Sequence, residues 1–339
     1  MEIRGEGALV FTIEGKYGTA ACYAVNIEDA CIEQIRGMLD MPFAEGANTA
    51  IMPDAHFGLG CTVGTTMRVA DAVVPNLVGV DIGCGMLTAD LGRKPIDLLA
   101  FDEACHQIPS GFSVWEGRKE QFDLEELRCY RQLKDTKRIA RSLGTLGGGN
   151  HFIEIDVASD GMQRLVIHSG SRNLGKQVAE YYQGLAVELH SGKEEFFERK
   201  REIIDAYKAS GRRCEIQDAL KALAAHYDAS EPDAPADLCW LYGRYMDDYL
   251  HDVDVCQRFA LRSRERMAIE IMSRGAARRT LDVEEYRRSM EGVYSTSVGE
   301  STIDEAPAAY KPAEDIIGPI AEAVDIIDVM RPIYNFKAS

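Results

Sequence analysis

Three glycine-rich loops interrupt apolar, strand-like runs in this sequence, and they constrain the fold more than any other feature. The loops contain Asp81–Gly85, Gly147–Glu154 and His168–Arg172, and a fourth stretch, Tyr334–Lys337, places a lysine in an aromatic run. Glycine lets the backbone turn sharply and lets another segment or a ligand come close. Carboxylate, thiol and imidazole groups together are typical metal donors. The pattern predicts strands whose ends carry a ligand site.

The spacing of apolar residues predicts an α+β fold. Strands are predicted at 8–25, 61–69, 73–91, 151–157 and 165–168, with a loop breaking the third at Asp81–Gly85. Helices are predicted at 96–107, 123–142 and from Gly175 to about His190. Residues 192–272 form a charged helical excursion that ends in a long helix starting near Leu238. Because the sequence shows neither a repeat nor a long linker, we expect a single domain over residues 1–339.

Composition restricts the possible partners and the compartment. The net charge of −17 argues against a protein that coats nucleic acid, because phosphate binding needs a basic surface. An RNA-binding role would therefore depend on a local basic pocket or on bound cations. The nine cysteines form no CxxC pair, which suits reduced thiols. Without a signal sequence or a membrane-spanning run, we expect a soluble, cytoplasmic protein, with a monomer favoured.

Asp81 and Cys84 are candidate metal ligands. They are separated by two residues, one of which is Gly83, so one turn can direct both side chains at the same point. A metal ion would then hold the thiol as a thiolate. A tight turn with an aspartate cap and a buried cysteine explains the same spacing, and the sequence leaves both interpretations open.

Two further loops carry imidazoles. His151 follows three glycines and Asn150, and a strand over 151–157 would direct His151 and Glu154 to opposite faces. His168 ends the next strand. The loop that follows it carries two serine hydroxyls and an arginine, which are groups that can bind an anion. A packed core histidine and an ordinary strand-to-helix turn are the simpler alternatives.

Seven strings of this sequence, in the same order along the chain, resemble the RtcB family of GTP- and manganese-dependent RNA ligases. They are MPDAHFGLG (52–60), VGVDIGCGM (78–86), LGTLGGGNHFIE (143–154), HSGSRNLG (168–175), DDYLHD (247–252), DEAPAAYK (304–311) and IYNFK (333–337). The resemblance implies an RtcB-like fold with mixed and antiparallel sheets around a central metal cleft.

The resemblance also implies roles for individual residues. Asp81, Cys84 and His151 would bind one Mn²⁺, and Cys84 would bridge to a second Mn²⁺ that His168 also binds. The GTP pocket would be lined by Asn150, Phe152, Glu154, Tyr310 and Lys337. Arg172 would contact RNA phosphate. The implied reaction joins RNA 3′-phosphate or 2′,3′-cyclic phosphate ends to 5′-hydroxyl ends, through GMP carried on a histidine.

One part of the family pattern is missing. The family expects a further metal-binding histidine after the long helix, and later a guanylylated histidine in a His-Gly-Ala-Gly-Arg string. Here Met272 is followed directly by Ser273, and no histidine follows His251. We therefore expect an apparent deletion near 270–274, seen as a break in the chain. If the chain is continuous there, a ligation-dead homologue that binds RNA ends or ribosomes, or a two-metal phosphoesterase, is the alternative.

Overall fold

The computed structural model describes residues 10–58, 60–68, 70–225, 227 and 230–276, and beyond them residues 316, 319, 324 and 326–337. The strands are β1 Phe11–Glu14, β2 Thr19–Cys22, β3 Thr49–His56, β4 Val63–Met67, β5 Ala72–Val73, β6 Gly85–Gly92, β7 Phe152–Val157, β8 Gln163–Ser169, β9 Leu241–Tyr242 and β10 Arg331–Lys337. The helices are α1 Asp29–Leu39, α2 Pro75–Val78, α3 Leu98–His106, α4 Thr136–Ser142, α5 Asn173–Glu188, α6 Glu194–Ala209, α7 Ile216–Ala224 and α8 Gly243–Ala276. The predicted α+β class is confirmed.

The contacts between residues divide the chain into two compact units. The first comprises residues 1–23, 27–79 and 179–247, and it contains the sheet β1-β2-β3-β4 and the pair β5-β9. In that sheet β2 and β3 are parallel and the other neighbours are antiparallel. The second comprises residues 24–26, 80–178 and 248–339, and it contains the antiparallel sheet β10-β7-β8-β6. The expectation of a single catalytic domain stays a prediction.

The sheet of the second unit has one core face. Ile153 and Ile155 of β7 are fully buried, as are Leu165 and Ile167 of β8, and they pack with residues of α3 and α8. Because side chains alternate across a strand, Phe152, Glu154 and His168 lie on the opposite face. The core therefore determines which side chains lie on the other face, where they are available for binding or catalysis.

Strand β10 is fixed to the core by one buried tyrosine. The Tyr334 hydroxyl donates to Asp102 Oδ1 of α3 at 2.8 Å, and the Tyr334 and Phe101 rings meet edge to face at 4.9 Å. Asn335 then lies opposite Glu154, and Lys337 opposite Phe152, in the antiparallel register with β7. Tyr334 thereby sets which face of the sheet Asn335 and Lys337 share with Glu154.

Two helix predictions were partly wrong. Residues 123–142 form two 3₁₀ turns, Leu124–Glu126 and Tyr130–Gln132, before the short helix α4. The carboxylate of Asp252 explains the interruption, because it accepts hydrogen bonds from the backbone N–H groups of Arg128 and Cys129. A continuous helix would use those donors internally.

The long helix also differs from its prediction at both ends. It begins at Gly243 and not near Leu238, because Leu241 and Tyr242 pair with β5 as strand β9. At its other end α8 extends through residues 270–274 to Ala276, and the apparent deletion predicted there stays a prediction. Among the described residues, no helix is both long and apolar enough to cross a membrane.

Candidate metal centre

The turn before β6 brings Asp81 and Cys84 to the same place. The Cys84 N–H donates to the Asp81 carbonyl at 3.0 Å, which closes a tight turn. Strand β6 starts at Gly85, directly after the turn, and pairs with β8 from Ser169 onward. The turn therefore stands at the end of the sheet where His168 also lies.

His151 completes a group of three donors. Its Nε2 lies 2.8 Å from Asp81 Oδ2 and 3.8 Å from the Cys84 sulfur. One donor atom from each of these three residues lies within 4.8 Å of the others. His151 is buried, whereas Cys84 is exposed, so the group opens to solvent at its sulfur. Oxygen, sulfur and nitrogen donors this close together match a divalent metal site.

His168 approaches the same sulfur from the other side. Its Nε2 lies 3.0 Å from Cys84 Sγ, and its ring centroid lies 5.5 Å from that of His151. The sulfur of Cys84 is thus within hydrogen-bonding distance of both imidazoles. The arrangement offers two neighbouring cation positions that share the sulfur.

The pKa values of these groups fit a cation-binding role. Burial raises the pKa of Asp81, but the hydrogen bond and charge of His151 outweigh burial and leave it below its usual value. Burial, followed by the nearby Asp81 carboxylate, raises the pKa of the Cys84 thiol to about 12. Burial and then His151 lower the pKa of His168, which keeps that imidazole neutral and able to donate a lone pair. A divalent cation would offset the negative charge of Asp81 and of an ionised Cys84.

Two glycines are required by close packing at the centre. Gly170 follows β8, and a Cβ at that position would overlap the Asp81 carboxylate. Gly147 has φ +101°, and a Cβ there would overlap both the Arg172 guanidinium and His151 Nδ1. At these two positions, contacts between protein groups are enough to explain why the residue is glycine, without any ligand.

The candidate nucleotide-binding residues follow the outer face of the same sheet. Phe152 packs edge to face against His168 at 5.1 Å, and Lys337 lies opposite Phe152 on β10. Glu154 lies two residues further along β7 on the same face. Asn150 is exposed at the end of the glycine loop. Tyr310 lies outside the described residues.

Asn335 is a neighbour of this face that the sequence reasoning missed. Its Nδ2 donates to Glu154 Oε1 at 2.5 Å. Burial raises the pKa of Glu154 to about 7, against the lowering effects of the Asn335 hydrogen bond and the Lys337 charge. Strand alternation gives the signal that would have identified Asn335, since positions 335 and 337 share a face.

Arg172 occupies an unusual backbone conformation and has protein partners. Its φ is +61°, in the left-handed region. Its guanidinium donates to the Gly111 carbonyl at 2.6 Å and approaches Thr145 Oγ1 at 3.4 Å. Burial lowers its pKa, and the Asp81 carboxylate acts in the opposite direction. The guanidinium therefore fastens the Gly111 and Thr145 segments beside the metal centre.

Comparison with known proteins gives a consistent family. The model of the family tRNA-splicing ligase RtcB matches residues 34–133 and 126–271. The RNA-splicing ligase RtcB of Escherichia coli K12 is 29% identical over 277 residues, which are 74% of this chain and 58% of that protein. RtcB1 of a second Escherichia coli strain is 28% identical over the same shares. The tRNA-splicing ligase RtcB of Nanoarchaeum equitans is 28% identical over 257 residues, 58% of this chain and 52% of that protein.

The chain thus spans between 52% and 58% of the length of these three relatives. The family model nevertheless matches more than half of the chain, including Asp81, Cys84, His151 and His168. On this basis the protein belongs to the RtcB family.

Proposed function

We propose that the protein is an RNA ligase of the RtcB type, joining RNA 3′-phosphate or 2′,3′-cyclic phosphate ends to 5′-hydroxyl ends with GTP and Mn²⁺. The observation that supports this most is the convergence of Asp81, Cys84, His151 and His168 in a chain of this family. The relatives it resembles are named RNA-splicing or tRNA-splicing ligases.

The metal ligands divide into two sets. Asp81, Cys84 and His151 would hold one Mn²⁺, and Cys84 and His168 would hold the second. Such ions neutralise phosphate oxygens and stabilise the attacking and leaving oxygens in phosphoryl transfer. They also supply local positive charge in a protein whose net charge is −17, which lets an RNA end approach. Arg172 would add a phosphate contact.

The outer face of the sheet would hold the guanine nucleotide. Glu154, when ionised, would accept hydrogen bonds from guanine N1–H and N2–H₂, and adenine lacks that arrangement. Lys337, Phe152 and Asn150 would line the same pocket, together with Tyr310. GTP should therefore bind more tightly than ATP. We further propose a cytoplasmic monomer whose partners are RNA and GTP, without membrane attachment.

A second candidate function follows from the missing histidines. The guanylyl-accepting step requires a nucleophilic histidine, and the sequence has none after His251. Helix α8 runs directly through the position where the family pattern is interrupted. A ligation-dead homologue that binds RNA ends or ribosomes, or a two-metal phosphoesterase, would retain the centre around Cys84 without the covalent step.

One assay separates these functions. The protein is incubated with Mn²⁺, radiolabelled GTP and paired RNA oligonucleotides that carry a 2′,3′-cyclic phosphate and a 5′-hydroxyl, with Cys84→Ala as the inactive control. Joined RNA and label bound to protein would support the ligase. Cyclic phosphate opening without joining would support the phosphoesterase. Neither reaction, together with Mn²⁺-dependent binding of the RNA, would support the ligation-dead binding protein.

A further inference from the structure

Arg264 of α8 lies beneath the metal centre and is 8% exposed. Its Nη1 donates to the Gly83 carbonyl at 2.9 Å and to the Ser169 carbonyl at 2.5 Å. Gly83 belongs to the turn that carries Asp81 and Cys84, and Ser169 is the residue after His168. One guanidinium nitrogen therefore joins two of the three segments that bear the candidate metal ligands.

The charge of Arg264 also acts on the sulfur. Burial lowers the pKa of Arg264 below its usual value, and the nearby Cys84 and Asp81 act in the opposite direction. Nη2 reaches close to Gly85, where a Cβ would stand 3.7 Å away. An arginine at this place gives a fixed, forked set of donors beside a sulfur that becomes anionic when it binds a metal ion, and a lysine ammonium cannot reproduce these donors in the same geometry.

The helix supplies a matched comparison. Arg262 lies two residues earlier on α8, but it is exposed and pairs with Glu120 and Glu265. Both arginines are held by hydrogen bonds, yet only Arg264 contacts the ligand-bearing segments. Substituting Arg262 therefore shows the effect of removing an arginine from this helix, and any additional effect at Arg264 reports its contact with the centre.

We infer that Arg264 is a positioning residue of the metal centre: it joins the Asp81–Cys84 turn to the end of β8, so that the Cys84 sulfur stands between the two imidazoles. This inference rests on the proposed metal-binding function. Arg264 touches neither the metal nor the RNA in this role. It acts by fixing the distance between Cys84 and His168, and removal of such a supporting contact weakens metal binding by about 10- to 100-fold in known sites.

The test is a Co²⁺ titration of the metal-free protein, followed by absorbance in the near-ultraviolet where thiolate-to-cobalt charge transfer appears. Wild type should show this band at saturation. Arg264→Met should lower the Co²⁺ affinity by about 30-fold and weaken the band. Arg264→Lys, which retains the charge but has a shorter side chain without the forked donors, should recover part of the loss. Arg262→Met should behave as wild type.

The outcomes distinguish the inference from the function on which it rests. If wild type binds no Co²⁺ through sulfur, the proposed metal site fails and the inference fails with it. If wild type shows the band and both Arg264 variants bind Co²⁺ with wild-type affinity, the metal site stands and the inference is overturned. Circular dichroism of each variant checks folding. If Arg264→Met unfolds, Arg264→Lys decides the question: reduced affinity with a weaker band supports the inference, and wild-type values overturn it.

Discussion

Glu154 should make the stability of the protein depend on pH. Burial raises its pKa from 4.5 to about 7, so the folded protein binds this proton more tightly than the unfolded chain does. The resulting stabilisation is fully present below pH 4.5 and is lost as the pH rises through about 7. A pKa difference of this size between the folded and unfolded states corresponds to roughly 3 kcal/mol of stability. Because the side chain is partly exposed, we expect about 2 kcal/mol.

The variant Glu154→Gln removes the titration and retains an acceptor for Asn335. Urea unfolding is measured from pH 5 to pH 8. Over this range the free energy of unfolding of wild type should fall by about 2 kcal/mol relative to that of the variant. Glu198→Gln, at an exposed position of α6, serves as the control and should keep a constant difference. A constant difference between Glu154→Gln and wild type across the range would refute the reasoning.

Three further predictions concern the centre and its support. Cys84→Ala should abolish Mn²⁺ binding in a calorimetric titration, whereas Cys214→Ala, also at an exposed thiol, should leave it intact; unchanged affinity in the first variant would contradict the shared sulfur. Gly170→Ala would press a methyl group against the Asp81 carboxylate, and we expect Mn²⁺ affinity at least tenfold lower with the thiol content unchanged. Asp252→Ala leaves two backbone N–H groups without their acceptor and should lower the free energy of unfolding by about 3 kcal/mol; a loss below about 1 kcal/mol in urea unfolding would show that other acceptors replace it.

The residues that converge at the centre were predicted from the sequence through its resemblance to the RtcB family, because the local pattern alone left a tight turn and a packed histidine open as alternatives. Asp81, Cys84, His151 and His168 all stand at ends of strands or in the loops beside them, and side-chain alternation then separates His168 from the core residue Ile167. Period-two burial and loop glycines are local signals, so they can be read without knowing the fold. The positions of β7, β8 and α5 followed from the same signals.

Contacts between distant segments could not be read in this way. The hydrogen bond from Asn335 to Glu154 joins residues 181 positions apart, and Arg264 reaches Gly83 over the same separation. The carboxylate of Asp252 likewise interrupts a predicted helix more than 120 residues earlier in the chain. The apolar spacing at 123–142 does favour a helix locally, but hydrogen bonds to a buried carboxylate on another element stabilise a different backbone conformation there.

The raised pKa of Cys84 has a consequence for how the protein survives oxidation. Peroxides and alkylating agents attack the thiolate, and a pKa of about 12 leaves almost none of it at neutral pH, although the residue is exposed. In the proposed metal-bound form, a cation would replace the proton and share sulfur lone pairs. The metal-free thiol should therefore react slowly with peroxides and alkylating agents, so that loss of a bound metal should be reversible.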